Sequence, residues 1–311
     1  MALIAFMLDL LVGDPAFLVR VHPVVLAGHL IKLLEKLLYR KNSRIMGVLL
    51  VIVVCLSFYY ETKFLLTALG PIAWVIEIWL LTTAFAARGL YEAGMKIYKA
   101  LQLGNLELAR RRTGEIVGRD THSMTRLDLI RAAVESVAEN LVDGVTAPLV
   151  YALIGGAPLA ILYKAINTMD SMLGHKDERY YYFGWAAARL DDLANFIPAR
   201  LTVPAMALAA HLLGLNAAYV WRAILRDAHK HKSPNSGISE AGVAGALGVQ
   251  LGGINYYGGE IYESSLLGNP IRELTEEDIP NTCRLMLLTS VIFLIGGNIL
   301  KIFFKWQVYV Q

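Results

Sequence analysis

Apolar stretches alternate with short polar ones along most of the chain. Four are read as membrane spans, at residues 45–60, 64–87, 201–220 and 285–304. The first two are joined only by Glu61 to Lys63, which predicts an antiparallel helical hairpin. Residues 144–166 are apolar enough to cross as well, but Gly155, Gly156 and Pro158 interrupt them. That interruption predicts two half-length helices, a broken or re-entrant segment of the kind tolerated where it lines a cavity. If the segment crosses, the Asp-rich stretch after it lies on the far side; if it turns back, the polar motifs can meet on the inner face. The second arrangement is the expectation adopted here. Residues 24–38 set an apolar face against His29, Lys32, Glu35 and Lys36, an amphipathic helix for the membrane surface or the core. The predicted fold class is therefore all-α: a polytopic integral membrane protein, one membrane domain over residues 1–311, with polar loops on the cytoplasmic side.

Composition agrees with this pattern. The chain is 56% hydrophobic and only 18% charged, less charged than an ordinary soluble domain. Its net charge of +3 is dispersed among carboxylates, so nothing favours a nucleic-acid partner. Lys36, Arg40, Lys41 and Arg44 precede the first span, and a basic block from Arg88 to Arg119 follows the second; both mark the cytoplasmic side. The apolar start lacks a basic leader and is interrupted by Asp9, so it reads as part of the fold rather than a signal peptide. Cys55 and Cys283 have no spacing partner and read as structural thiols.

Polar chemistry concentrates between residues 120 and 200. Arg131, Glu135, Glu139 and Asp143 are successive four-residue steps and share one helical stripe, with Asp128 beside it, opposite Ile130, Ala133, Val134, Val137 and Leu141. Neither glutamate has a basic residue four positions on, so the stripe calls for a cation such as Mg²⁺ or a positively charged substrate; a merely solvated face is the plainer alternative. Asn167, Asp170 and Ser171 share a later face, and Arg189, Asp191, Asp192 and Asn195 crowd the next turn. Oxygen donors in this density suit a hard cation that also carries phosphate. Nearer the C-terminus, Ser233, Pro234, Asn235 and Gly237 form a turn, with Ser239 as the expected N-cap of an Ala/Gly-rich helix. His229 to Lys232 just before it suit an anionic group. Asp14, Arg20 and His22 stand in a turn-rich entry, Glu77 falls inside the second span, and residues 260–278 read as a polar loop. Signatures for P-loop nucleotide binding, zinc proteases and serine hydrolases are missing from the sequence.

The motifs L-L-V-G-D-P with H-P-V, V-E-S-V-A-E-N-L-V-D-G-V-T-A-P, N-T-M-D-S-M, F-G-W-A-A-A-R-L-D-D-L-A-N with I-P-A-R-L, S-P-N-S-G and L-G-G-I-N-Y-Y occur in that order. Together they closely resemble the adenosylcobinamide-phosphate synthase family (CbiB/CobD) of cobalamin biosynthesis. The resemblance implies a multi-pass enzyme of the cell membrane, with its active site on the cytoplasmic side. It would join adenosylcobyric acid, a corrinoid substrate, to (R)-1-aminopropan-2-ol or its O-phosphate through an amide bond at the expense of ATP. Its partners would be these substrates, the lipid bilayer and other membrane enzymes of the pathway.

Roles are then assigned by chemistry. Amide formation needs an activated acyl group, most simply an acyl phosphate, and so a metal on the phosphates, a counter-charge and a base for the amine. Glu135, Glu139, Asp143, Asp170, Asp191 and Asp192 form the pool for Mg²⁺ ligands and general base, with Glu139, Asp143, Asp170 and Asp191 favoured for the metal. Asn140, Asn167, Asn195 and Asn235 would orient substrate amides or metal water. Arg131, Lys176, Arg189, Arg200 and Lys232, with Ser233, would bind phosphate, and His22 or His175 would relay a proton. Two rival readings are a Mg²⁺-dependent membrane transferase acting on a lipid or prenyl diphosphate, and a transporter or sensor. The acidic blocks lack the regular spacing of the first, and the chain lacks the two related halves of the second.

Overall fold

The structure is a computed structural model that describes residues 1–13, 20–175 and 177–310, with side chains to residue 303. It is almost wholly helical, and five segments are long and apolar enough to cross a membrane: Arg44–Ala68, Gly70–Gln102, Arg126–Leu173, Trp185–Leu212 and Asp278–Phe303. The chain is a multi-pass membrane protein on that count. It divides into two compact units, Met1–Ala86 with Asp143–Ile197 and Gly297–Gln311, and Ala87–Val142 with Pro198–Gly296.

Unit 1 holds α1 (Ala2–Leu11), α2 (Pro23–Leu38), α3 (Arg44–Ala68), α4 (Ala73–Ala84), α8 (Ala147–Leu173), α9 (Tyr180–Phe183) and the first part of α10 (Trp185–Leu212). The expected break at Glu61 to Lys63 is corrected: α3 runs through it, with Thr62 buried, and the turn comes at Gly70 and Pro71. Glu and Lys are good helix formers, whereas Gly70 at φ +54° and the following proline end the helix. Most of unit 1 packs on α8, which touches α1, α2, α3 and α4.

α8 is folded back on itself. Gly155 and Gly156 leave helical geometry, Gly156 at φ +66°, just before Pro158. The Tyr163 hydroxyl donates to the Asp143 carbonyl at 3.3 Å, across 20 positions that a continuous helix would spread over about 30 Å. Tyr151 and Tyr163, on opposite sides of the glycines, stack with ring centroids 5.1 Å apart. The segment is therefore two half-helices folded against each other. After it, residues 178–185 lie beside the end of α2 and the start of α3: Lys41 pairs with Glu178 at 2.8 Å, Arg179 with Glu35 at 2.7 Å, and the Arg44 guanidinium covers the rings of Tyr182 and Trp185. Contact there is so close that a Cβ on Gly47 would stand 1.9 Å from the Phe183 carbonyl oxygen.

Unit 2 holds α5 (Ala87–Gln102), α6 (Leu106–Gly114), α7 (Arg126–Leu141), the end of α10, α11 (Ala217–Asp227), α12 (Ser236–Leu247), the strands β1 (Leu251–Tyr257) and β2 (Glu260–Leu267), and the first part of α13 (Asp278–Val310). Thr125 and Asp128 start α7 with a reciprocal capping box, and its apolar stripe is buried as expected. Every residue of α12 is buried, packed on α11 and α7. Glycine makes this possible, since a Cβ on Gly245 would meet the Tyr219 carbonyl at 2.3 Å. The expected N-cap at Ser239 is corrected: the Ser233 hydroxyl accepts from the N–H groups of Asn235 and Ser236, which starts the helix earlier, and Ser239 is buried within it. Of residues 260–278, read as a polar loop, 260–267 instead form β2, which pairs antiparallel with β1 across a turn closed by Gly258 and Gly259 at φ +58° and +83°.

Candidate functional site

The acidic stripe of α7 does not face water. Glu135 is 3% exposed and pairs with Arg119 at 2.5 Å, while its other oxygen accepts the Gly252 N–H at 2.6 Å. Arg119 also donates to Asn255 Oδ1 at 2.9 Å and Tyr257 Oη at 3.3 Å. Burial alone would lower the Arg119 pKa, but Glu135 and then Tyr257 more than offset it and the net shift is upward. Arg131, expected to bind phosphate, donates instead to the carbonyls of Gly252 and Ile254 and pairs with Asp128. The cation that Glu135 requires is thus Arg119, and together these residues bind the base of the hairpin to α7.

Glu139, one turn further on, is exposed, and its Oε1 accepts from Ser236 Oγ at 3.4 Å. Beneath it in unit 2 lies Glu240, 7% exposed. Burial pushes the Glu240 carboxyl well above the usual carboxylate range; Glu139 and then Glu135 push the same way, and Arg119 pulls back. His231 Nε2 stands 3.6 Å from Glu240 Oε1, with its Nδ1 3.0 Å from the Ser233 N–H. The same corner of unit 2 contains Asn235, whose Oδ1 accepts from Arg200 at 3.1 Å, and Lys232, whose Nζ sits 3.8 Å above the Tyr262 ring. Asn140 is spent locally, donating to the Ser136 carbonyl.

Unit 1 gathers the second group. Asp191 is buried and accepts from Asn195 at 2.9 Å and Asn167 at 3.4 Å, and Asn195 in turn accepts from Tyr163 at 2.8 Å. Their helical spacing on α8 and α10 produces this network, because Asn195 sits one turn beyond Asp191. Asp143, half-buried in the π-turn Val142–Thr146, gives its carbonyl to Tyr163. Asp170 lies over Gly174, and Asp192 is 3.6 Å from Arg189. His22 caps α2, its Nδ1 accepting the Val24 N–H at 3.2 Å, and His175 is exposed. Lys176 and Asp14 lie outside the described residues.

The sequence reading therefore missed Arg119, Glu240, Tyr163 and the hairpin as site-forming elements, and read His231 only within the run His229 to Lys232 as suited to an anion. Glu240 had a signal, a lone carboxylate inside a helix of Ala, Gly and Ser. Tyr-Tyr-Gly-Gly signalled the hairpin.

Among the described residues no three His, Cys, Asp or Glu side chains form a ready metal cage. Exposed Glu139 offers Mg²⁺ a single carboxylate, and that ion takes one or two before water and substrate phosphate complete its shell; Glu240 is buried with its carboxyl pushed toward the neutral form, so these residues fit a nucleotide-borne cation better than a resident one.

The profile of a family described as CobD/Cbib protein matches residues 2–286. The chain is 49% identical over 290 residues to the Cobalamin biosynthesis protein CobD of Geobacter metallireducens, covering 91% of each. It is 42% identical to the protein of that name from Clostridium acetobutylicum, over 94% of this chain and 95% of that one. It is 42% identical to the one from Klebsiella pneumoniae, over 92% of each. No solved structure gives a significant match.

Proposed function

The chain belongs to the CobD/CbiB family, and we propose that it acts in cobalamin biosynthesis, joining adenosylcobyric acid to (R)-1-aminopropan-2-ol or its O-phosphate with ATP as the energy source. The observation that carries the reading is a surplus of carboxylate in unit 2. Arg119 is committed to Glu135, and exposed Glu139 and buried Glu240 bear on one another with only His231, 3.6 Å from Glu240, beside them. Two carboxylates so placed repel each other until a cation or a proton intervenes. Mg²⁺ with ATP would supply that charge and would neutralise the phosphates during transfer.

Each step then has a balance. A substrate carboxylate oxygen attacks the γ-phosphorus and ADP leaves; the ammonium gives one proton to a base, the free amine attacks the acyl carbon, and inorganic phosphate leaves carrying the second nitrogen proton. Glu139 is assigned to the metal-bearing phosphates, since it is the member of the acidic stripe that reaches the surface. His231, held by Ser233 and facing Glu240, is assigned to the proton. The active site is assigned to the cytoplasmic side, where the basic block from Arg88 to Arg119 that leads into α7 would lie.

The test is coupling by purified protein in detergent, supplied with adenosylcobyric acid, aminopropanol phosphate, ATP and Mg²⁺. Product formation that Glu139→Gln abolishes, in a variant that melts like the parent, supports the reading. No product with any amino alcohol removes it.

A further inference from the structure

One side of unit 1 carries more positive charge than its own carboxylates neutralise. Lys32, Lys36, Arg40, Lys41 and Arg44 all fall between the middle of α2 and the start of α3. Glu35 is taken by Arg179 at 2.7 Å and accepts from the Tyr180 hydroxyl at 2.8 Å, and Lys41 is taken by Glu178. Lys32, Lys36, Arg40 and Arg44 have no carboxylate partner among the described residues.

The outer face of α2 is nevertheless apolar. Leu26, Leu33 and Leu37 are exposed along one stripe, with Lys32 and Lys36 on its flank. Pro23, Ala27 and Ile31 on the other side are buried, where α2 packs on α8 and α3. At 16 residues, with His29, Lys32, Glu35 and Lys36 in it, this helix is too short and too charged to cross a bilayer. A helix of that kind lies in the plane of the interface.

Arg44 stands where α2 gives way to membrane-spanning α3, its guanidinium 5.6 Å from the Tyr182 ring centre and 5.1 Å from that of Trp185. Tyr181, Tyr182 and Trp185 are themselves exposed, and rings of this amphipathic kind gather at headgroup depth. The two rings hold the guanidinium in place while its N–H groups have no acceptor among the described residues. From the same point Ile45, Val48, Leu49 and Ile52 run down α3 as an exposed apolar wall.

A pre-oriented guanidinium above an apolar wall, beside further unpaired cations, suits an anion that brings its own hydrocarbon. We propose that this face of unit 1 selects an acidic glycerophospholipid, with the phosphodiester on Arg44 and the acyl chains along α3. Such a ligand is a diester that stays in the bilayer, unlike every reactant of the proposed coupling, and its binding needs no step of that reaction.

Native mass spectrometry of the purified full chain, without ATP or corrinoid, measures the retention of phosphatidylglycerol and phosphatidylcholine added to the micelles. Phosphatidylglycerol should bind about tenfold more tightly, and Arg44→Gln should abolish the preference. The paired variant Lys32→Gln with Lys36→Gln, at exposed positions away from the rings, should keep the fold and lose part of the preference. It decides the matter where Arg44→Gln does not fold. Aminopropanol phosphate in excess should leave the lipid bound. Equal retention of the two lipids by the parent protein overturns the proposal. So does an unaltered preference in folded Arg44→Gln or in the paired lysine variant, and so does displacement by aminopropanol phosphate, which would put the lipid in the substrate's site.

Discussion

Arg119 reaches Glu135 at 2.5 Å inside unit 2, and the pair joins α7 to the foot of a β-hairpin more than a hundred residues away in sequence. Glu135 is thereby a structural carboxylate, although it shares a helical stripe with Glu139. Removing one partner leaves a buried charge without compensation. Glu135→Gln or Arg119→Leu should therefore cost about 3–5 kcal/mol of stability. Chemical denaturation in detergent measures this, and the same experiment on Glu139→Gln, an exposed position, should show a change within about 0.5 kcal/mol. Equal losses at both positions would contradict the division of roles.

Stability should also depend on pH through Glu240. Its folded pKa is raised above the ordinary value of 4.5, by burial first and then by Glu139 and Glu135. The folded state thus holds the proton longer than the unfolded chain does. This contribution is fully present below the unfolded pKa and is lost as pH rises from there through the folded pKa. Melting temperatures from pH 4.5 upward should fall in the parent and fall less in Glu240→Gln. An identical slope in both would show that Glu240 is not the group responsible.

The fold back in α8 depends on Gly156. At φ +66° a side chain is strained, and a Cβ there would stand 2.6 Å from Glu77 Oε1. Gly156→Ala should destabilise by about 1–3 kcal/mol. Gly296→Ala, whose Cβ meets nothing within 4 Å, serves as the helical control. Thermal unfolding of the two variants in parallel gives the comparison, with a fall confined to Gly156→Ala and an unchanged or higher melting temperature in Gly296→Ala as the expected outcome.

Much of the fold was legible in the sequence. Apolar length marked the first two membrane helices and the last, and Gly155, Gly156 and Pro158 marked the fold back in α8 because each breaks a local rule of helix geometry. The span read at 201–220 is corrected: that helix begins at Trp185, carries Asp191 and Asn195, and stops at Leu212 before Gly214 at φ +70°. The site was legible only where its partners are local. Asp191 and Asn195, one turn apart, were read as a group and do form one. Arg119 and Glu135 are brought together by tertiary packing, and no helical period announces such a pair. Charge pattern alone placed Glu135 and Glu139 in one class; the approach of the hairpin backbone separates them.

Residues 41 and 178 should label from the same side of the membrane, since Lys41 and Glu178 form an ion pair at 2.8 Å. In a background with Cys55 and Cys283 replaced, single cysteines at each position should react with an impermeant thiol reagent in inverted vesicles and not in intact cells. Reaction from opposite sides would contradict the re-entrant arrangement. Reaction of both from outside would keep that arrangement and reverse its orientation.

The most direct measurement follows the oxygen atoms of the acid. Adenosylcobyric acid carrying ¹⁸O in both oxygens of its reacting carboxylate is coupled to the amino alcohol by the purified protein with unlabelled ATP. Activation by phosphoryl transfer predicts one ¹⁸O in the released inorganic phosphate and one in the amide product, in equal amounts. Amide formed with unlabelled phosphate, or phosphate released with no amide, would contradict it.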